Sequence, residues 1–207
     1  METEFKFRLL DPTVFDRIVE SAEIKAAGID EVETIEMDAT YFDTADYDFR
    51  NKGIAYRIRR EDDRCTATIK WDVDTDADLS EGLHKREEFN LVVSDERYAD
   101  NPNIDLFVSS DAYEVLKEAA GEKPLIKVIN MEFTRRQFKV DTGKSISCIS
   151  VDEGSIYHHD GHVVPVCELE VEWYYGDEED FMQLAALIKE KYGLEAEEMS
   201  KLQRAFA

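Results

Sequence analysis

Residues 2–10, Glu-Thr-Glu-Phe-Lys-Phe-Arg-Leu-Leu, alternate strictly between charge and hydrocarbon: Glu2, Glu4, Lys6 and Arg8 fall on one side, Phe5, Phe7 and Leu9 on the other. A period of two places these sets on opposite faces of a β-strand. The pattern recurs. Arg57, Arg59 and Glu61 share a face in Gly-Ile-Ala-Tyr-Arg-Ile-Arg-Arg-Glu, and Thr66, Thr68 and Lys70 share one in Arg-Cys-Thr-Ala-Thr-Ile-Lys-Trp-Asp. Arg86 and Glu88 do so in 83–93, and Glu168, Glu170 and Glu172 do so in Cys-Glu-Leu-Glu-Val-Glu-Trp. The opposite faces are largely apolar: Ile54, Tyr56 and Ile58; Cys65, Ala67, Ile69 and Trp71; Cys167, Leu169, Val171 and Trp173.

For any one strand, charged alternation is the ordinary solvated face of a half-covered sheet. Five such strands together with available helices suggest another arrangement. A helix is expected from Asp11-Pro12 to Gly28, with Val14, Phe15, Ile18, Val19 and Ala22 at helical spacing. Others are expected over 110–120 and from an Asp177 cap to Tyr192-Gly193, and the segment 197–207 reads as helical. Strands are expected near 32–43, 53–61, 64–72, 83–93, 125–140, 145–152 and 162–175. If the helices cover the apolar faces from outside, the charged faces line a barrel lumen.

Charges enclosed in a lumen are tolerated only when paired, hydrated or coordinating. Carboxylates at i and i+2 present two oxygen donors to one side, which suits a hard divalent cation such as Mg²⁺ or Mn²⁺. Arginines at i and i+2 offer paired forks to phosphate oxygens. Metal and phosphate together imply chemistry at a polyphosphate.

Composition narrows the partners. The 207 residues carry a formal charge of −23, a field that repels nucleic acid and anionic membrane, so neither is expected as a partner. With 43% hydrophobic and 11% aromatic residues the chain suits one globular domain, 1–207, and no composition break divides it. Cys65, Cys148 and Cys167 are odd in number and widely spaced, and read as free thiols in a reducing compartment. There is no basic, apolar leader pattern at Met1 and no apolar run of the ~18 residues a membrane span needs, so a cytoplasmic location is expected.

Glu2-x-Glu4-x-Lys6 is similar to the ExExK motif of the CYTH family, also called triphosphate tunnel metalloenzymes. Further blocks resemble the family in order: Tyr41-Phe42-Asp43-Thr44, Gly53 to Arg59, Thr68-Ile69-Lys70, Arg86-Glu87-Glu88, Val151-Asp152, Glu168-Leu169-Glu170 and Ser200-Lys201. The resemblance implies an α+β fold, an eight-stranded antiparallel β-barrel forming a tunnel with helices packed outside. It implies Glu2, Glu4, Asp152, Glu168 and Glu170 as metal ligands or as groups orienting an attacking water, with Glu172 a further acidic lumen residue. It implies Lys6, Arg57, Arg59, Lys70, Arg135 and Lys201 as phosphate ligands; Arg136 sits beside Arg135, and a one-residue slip exchanges their faces. Glu2, Glu4, Lys6, Glu168 and Glu170 are the implied catalytic set.

The implied activity is metal-dependent hydrolysis of a linear triphosphate, inorganic or carried on an organic group. A cyclase of the same family, making cyclic AMP and pyrophosphate from ATP, shares most of these residues, and a slow polyphosphate-binding module is the non-enzymatic alternative. Three other signals are set aside. Asp141-Thr142-Gly143-Lys144-Ser145 lacks the upstream glycine of a phosphate-binding loop, having Phe138 there. Asp72, Asp74, Asp76 and Asp78 begin like a calcium loop but meet Ala77 and Leu83 where glycine and glutamate belong. His158-His159-Asp160-Gly161-His162 reads as a hairpin turn with surface histidines, and Glu195, Glu197 and Glu198 as a solvated helix face. Trp71, Trp173, Tyr174 and Tyr175 read as barrel packing, with an entrance lining the alternative for one of them.

Overall fold

In the computed structural model, which describes residues 1–62, 64–72, 82–93 and 102–207, the alternating segments are strands of one closed sheet. They are β1 (Glu2–Arg8), β2 (Glu33–Thr44), β3 (Ile54–Glu61), β4 (Arg64–Asp72), β5 (Leu83–Val93), β6 (Leu125–Asp141), β7 (Ser145–His158) and β8 (Val163–Gly176). The order is β5-β4-β3-β2-β6-β7-β8-β1, all neighbours are antiparallel, and β1 pairs back to β5 to close the barrel. A two-residue strand, β9 (Glu195–Ala196), continues the β5 edge along β1. Closure leaves no long unpaired edge among these eight strands.

Helices cover the apolar outer faces in two places. Against β1, β7 and β8 lie α1 (Thr13–Val19), α2 (Ala22–Ala27) and α5 (Glu178–Tyr192), burying Phe5, Phe7, Phe15, Ile18, Val171 and Phe181 in one core. Against β3, β4 and β5 lie α3 (Asp48–Asn51), a 3₁₀ turn (Ile104–Phe107) and α4 (Asp111–Ala120), enclosing Tyr56, Ile58, Ile69, Phe107 and Leu116. The third core lies inside the barrel. Lumen-facing Met37, Ala39, Tyr41, Met131, Phe133, Ile156 and Val166 pack against Leu202, Ala205 and Phe206 around α6 (Lys201–Arg204). One part of the lumen is therefore filled by hydrocarbon and α6, leaving the remainder polar.

Several expectations need correction. The segment 12–28 is two short helices, because Ser21 is extended at φ −68°, ψ 144° and its hydroxyl donates to the Ile18 carbonyl, ending α1 before α2 begins. The strand expected over 145–152 runs on to His158. Gly154 permits this: a Cβ there would sit 2.5 Å from the Phe133 Cα and closer still to the Glu132 carbonyl oxygen. The segment 197–207 is helical only over 201–204, with Glu197 buried at 1% exposure rather than solvated. α3 and the 3₁₀ turn carry no strong periodic signal and were not expected. Asp74, Asp76 and Asp78 of the calcium-like run lie outside the described residues.

The hairpin readings fit the structure. Asp141 Oδ1 accepts the Gly143 N–H at the β6–β7 turn, and Asp160 Oδ1 accepts the His162 N–H at the β7–β8 turn. All three cysteines are free. Among the described residues, no helix is long and apolar enough to cross a membrane.

Candidate active site

Register assembles the site. Antiparallel pairing sets Lys6 opposite Glu170, Glu4 opposite Glu172, Arg135 opposite Asp152, Asp152 opposite Glu168, Tyr41 opposite Arg57 and Lys70 opposite Glu88. Each pair points into the barrel, where strand partners as far apart in the chain as Glu4 and Glu172 become neighbours around a cavity of about 320 Å³; Asp152 and Glu168 are fully buried and do not line it. Its lining includes Glu2, Glu4, Lys6, Arg57, Arg59, Lys70, Arg135, Glu170 and Lys201. Arg135, not Arg136, is the lumen residue; Arg136 lies outside over the Phe15 ring with its fork on Asp16. Arg86, Glu88 and Glu172 also line the cavity, whereas Arg8 does not and pairs instead with Glu197.

The walls differ in their balance of sign. β1, β7 and β8 supply Glu2, Glu4, Asp152, Glu168, Glu170 and Glu172 against Lys6, and β3 through β6 supply Arg57, Arg59, Lys70, Arg86 and Arg135 against Glu61 and Glu88. Asp152, Glu168 and Glu170 each present a carboxylate oxygen within 4.8 Å of the others, and all three are buried. Lys201 reaches this cluster from α6, with Nζ 2.7 Å from Asp152, 3.0 Å from Glu170 and in contact with Glu168. Lys6 lies 2.8 Å from Glu4 and in contact with Glu170. Arg135 bridges Asp152 twice at 2.7 Å and Glu170 at 2.5 Å.

Burial disfavours these charges, and at Glu168 it prevails over Lys201, Lys6 and Arg204 and holds the carboxyl above its usual range. For Asp152 and Glu170 the cations Arg135 and Lys201, with Lys6 at Glu170, outweigh burial and hold both below the usual carboxylate range. Lys6 is correspondingly raised by Glu170, Glu4 and Glu168. Glu172 has no ion pair among the described residues; burial and the like charges of Glu4 and Glu2 push it up to about 8. Arg59 is pushed down to about 10 by burial and by Arg57 and Arg135, although Glu61 pairs with it. Arg57 donates to the Tyr41 hydroxyl at 3.3 Å, and its buried Nε and that of Arg59 have no partner among the described residues.

Unsatisfied guanidinium donors crowded on one wall call for an anion with several oxygens. Glu172 is a surplus carboxylate among the described residues, while Glu2 accepts from Lys70 Nζ at 2.6 and 2.7 Å and Glu4 pairs with Lys6; together with the Asp152–Glu168–Glu170 cluster they form an all-oxygen donor set that suits Mg²⁺ or Mn²⁺. Sequence reasoning missed Arg204, whose fork contacts Glu168 and lies 3.4 Å from Glu197. It also gave no role to Tyr41 beyond its place in a family block. Arg204 carries no strand alternation to betray it; only the folding of α6 into the lumen does so. Tyr174 lines the cavity and is half exposed, fitting an entrance, while Trp71 and Trp173 pack on the outer cores.

Comparison with known proteins matches residues 1–206 to the CYTH domain. An inorganic triphosphatase of Haemophilus influenzae is 24% identical over 167 residues, 81% of this chain, and the chain spans 44% of that protein's length. Among solved structures, the Hippeastrum protein HpAC1, described as an adenylyl cyclase that reveals a dominant triphosphatase activity, superposes with TM-score 0.69 at 20% identity. That match covers 98% of this chain and 93% of that one. A Bacillus halodurans protein named for adenylate cyclase superposes with TM-score 0.64 at 17% identity, covering 100% and 98%. At these identities the structural matches speak to the fold alone.

Proposed function

Because the chain belongs to the CYTH domain family, we propose that it hydrolyses a linear triphosphate in its barrel, with inorganic triphosphate the leading substrate and Mg²⁺ or Mn²⁺ as cofactor. The observation that carries this reading is the two-signed lumen: a buried carboxylate cluster facing arginines whose donors are unsatisfied. Glu2, Glu4, Asp152, Glu168 and Glu170 would hold the metal, which when bound supplies Lewis acidity toward phosphate oxygens. The Haemophilus relative's name agrees with a triphosphate substrate.

The chain's own groups account for binding and orientation. Arg57, Arg59 and Arg135 present planar forks along one wall, and Lys70 extends it. Lys6 and Lys201 stand as counter-ions of the carboxylates. Their ammonium donors would also reach phosphate oxygens and neutralise charge as the phosphoanhydride opens. Burial strengthens each of these interactions by excluding water. Glu4 and Glu170, facing the same volume, orient the attacking water. We place this activity in a single cytoplasmic domain, acting on a small triphosphate compound rather than nucleic acid or membrane.

The test is Glu4→Gln, which keeps the side-chain volume and removes the charge. Steady-state phosphate release from tripolyphosphate should fall by at least 10²-fold, the scale of losing a group aimed at developing charge, with an unchanged circular dichroism spectrum. Full activity in the folded variant would remove the carboxylate wall from the chemistry.

A further inference from the structure

The surface histidine reading of the β7–β8 turn omits a contact. His158 lies edge-on to Phe206, ring centroids 5.0 Å apart at an interplanar angle of 89°. Tyr47 meets the same ring at 5.4 Å and 81°, and the Arg50 guanidinium sits 4.4 Å over its centroid. The four residues come from α6's trailing end, the turn before α3, α3 itself and the end of β7. Asp160 Oδ1, 2.8 Å from His158 Nδ1, holds the imidazole in place. Such edge-on aromatic and cation–π contacts stabilise beyond the area they bury.

That seat matters because α6 is only four residues long. A single turn is not stable in isolation, since nucleation costs more than one turn returns. Its other anchors are the reciprocal Ser200–Gln203 capping box, the packing of Leu202 and Ala205 in the lumen and the ion pairs of Lys201 and Arg204. Yet this turn delivers Lys201 and Arg204 to the carboxylate cluster, where Lys201 touches three carboxylates at once. An ammonium in that position is useful only if held to within a fraction of an ångström; displaced, it leaves buried carboxylates uncompensated.

We propose that Phe206 is a positioning residue for the triphosphate site: its ring, seated among Tyr47, Arg50 and His158, locks α6 inside the barrel and so fixes Lys201 and Arg204. Phe206 acts through these two cations. The proposal rests on the reading of the lumen as the triphosphate site.

The experiment is a double-mutant cycle, Phe206→Ala against Lys201→Ala, read by kcat/KM on tripolyphosphate with Mg²⁺ and by amide hydrogen exchange. Phe206→Ala is expected to lower kcat/KM about tenfold, the scale of one charge-assisted hydrogen bond no longer held in place. In the Lys201→Ala background the same substitution should lower kcat/KM by clearly less, only the part carried through Arg204, because residues acting as a unit are not additive. The Arg204, Ala205 and Phe206 amides, which donate to Ser200, Lys201 and Gln203 carbonyls, should lose protection while β1 amides keep theirs. Equal loss in both backgrounds, or unchanged activity and exchange in Phe206→Ala, overturns the proposal. Should Phe206→Ala not fold, Arg50→Ala combined with His158→Ala removes two sides of the seat and must give the same pattern. If the wild-type protein does not hydrolyse tripolyphosphate, the functional reading fails, and exchange at 204–206 still decides whether Phe206 locks α6.

Discussion

Arg57 and Arg135 are both buried lumen arginines, yet their removal should have opposite signatures. Arg57 donates to one neutral hydroxyl, that of Tyr41, and keeps a buried Nε without a partner. Arg57→Ala therefore breaks no ion pair within the described residues and relieves the crowding with Arg59. Stability should stay within about 1 kcal/mol of wild type, the ordinary scale of a single neutral hydrogen bond. Affinity should suffer instead. A charge-assisted bond to a phosphate oxygen contributes about 1.5–3 kcal/mol, which is about 10- to 150-fold in Kd. Arg135 is the converse case, bonded twice to Asp152 and once to Glu170. Arg135→Ala takes a bidentate partner from buried Asp152 and one of three cations from Glu170, leaving Lys201 on both and Lys6 on Glu170, and should cost about 3 kcal/mol of stability, the low end for breaking a buried pair. Calorimetric titration with tripolyphosphate in Mg²⁺ and urea unfolding of both variants measure the two quantities. A destabilised Arg57→Ala that binds normally would refute the argument, because it would make Arg57 a structural cation and not one reserved for substrate.

Gly154→Ala forces a Cβ to within 2.5 Å of the Phe133 Cα, and neither backbone can yield without breaking the β6–β7 ladder. It should destabilise by about 3 kcal/mol, the upper end of overpacking costs, and urea unfolding reads this directly; a neutral outcome would mean that β7 bends by another route. Cys148 is buried in the lumen and burial pushes its thiol up to about 11. It should stay protonated below that pH and resist a disulfide exchange reagent at pH 8 until the protein is unfolded; rapid labelling of the folded protein at this residue, followed by peptide mapping, would contradict its burial.

The strands over 64–72 and 83–93 have the ends read from their sequences, because alternation of charge and hydrocarbon reports directly which face meets the helices. The lumen residues of β1, β3, β4 and β8 were legible for the same reason, and helices available for the outer faces pointed to a charged interior. What was not legible depends on long-range geometry. The 12–28 segment has continuous helical periodicity, but a serine hydroxyl bonding back to Ile18 divides it. Glu197 looks like any acidic surface residue until Arg8 and Arg204 are brought to it from opposite ends of the fold. Phe206 and His158 lie 48 positions apart in segments without periodicity, so nothing local announces their contact. Arg135 and Arg136 could be separated only by the register that sets Arg135 against Asp152.

The account's central claim is that the two-signed lumen cleaves a linear triphosphate with a divalent cation. Phosphorus NMR of products from tripolyphosphate and, separately, ATP, each with Mg²⁺ or Mn²⁺ and with chelator controls, tests it most directly. The account predicts orthophosphate and pyrophosphate from tripolyphosphate, abolished by chelator. Cyclic AMP and pyrophosphate from ATP, with tripolyphosphate left intact, would contradict it and make the chain a cyclase built on the same walls.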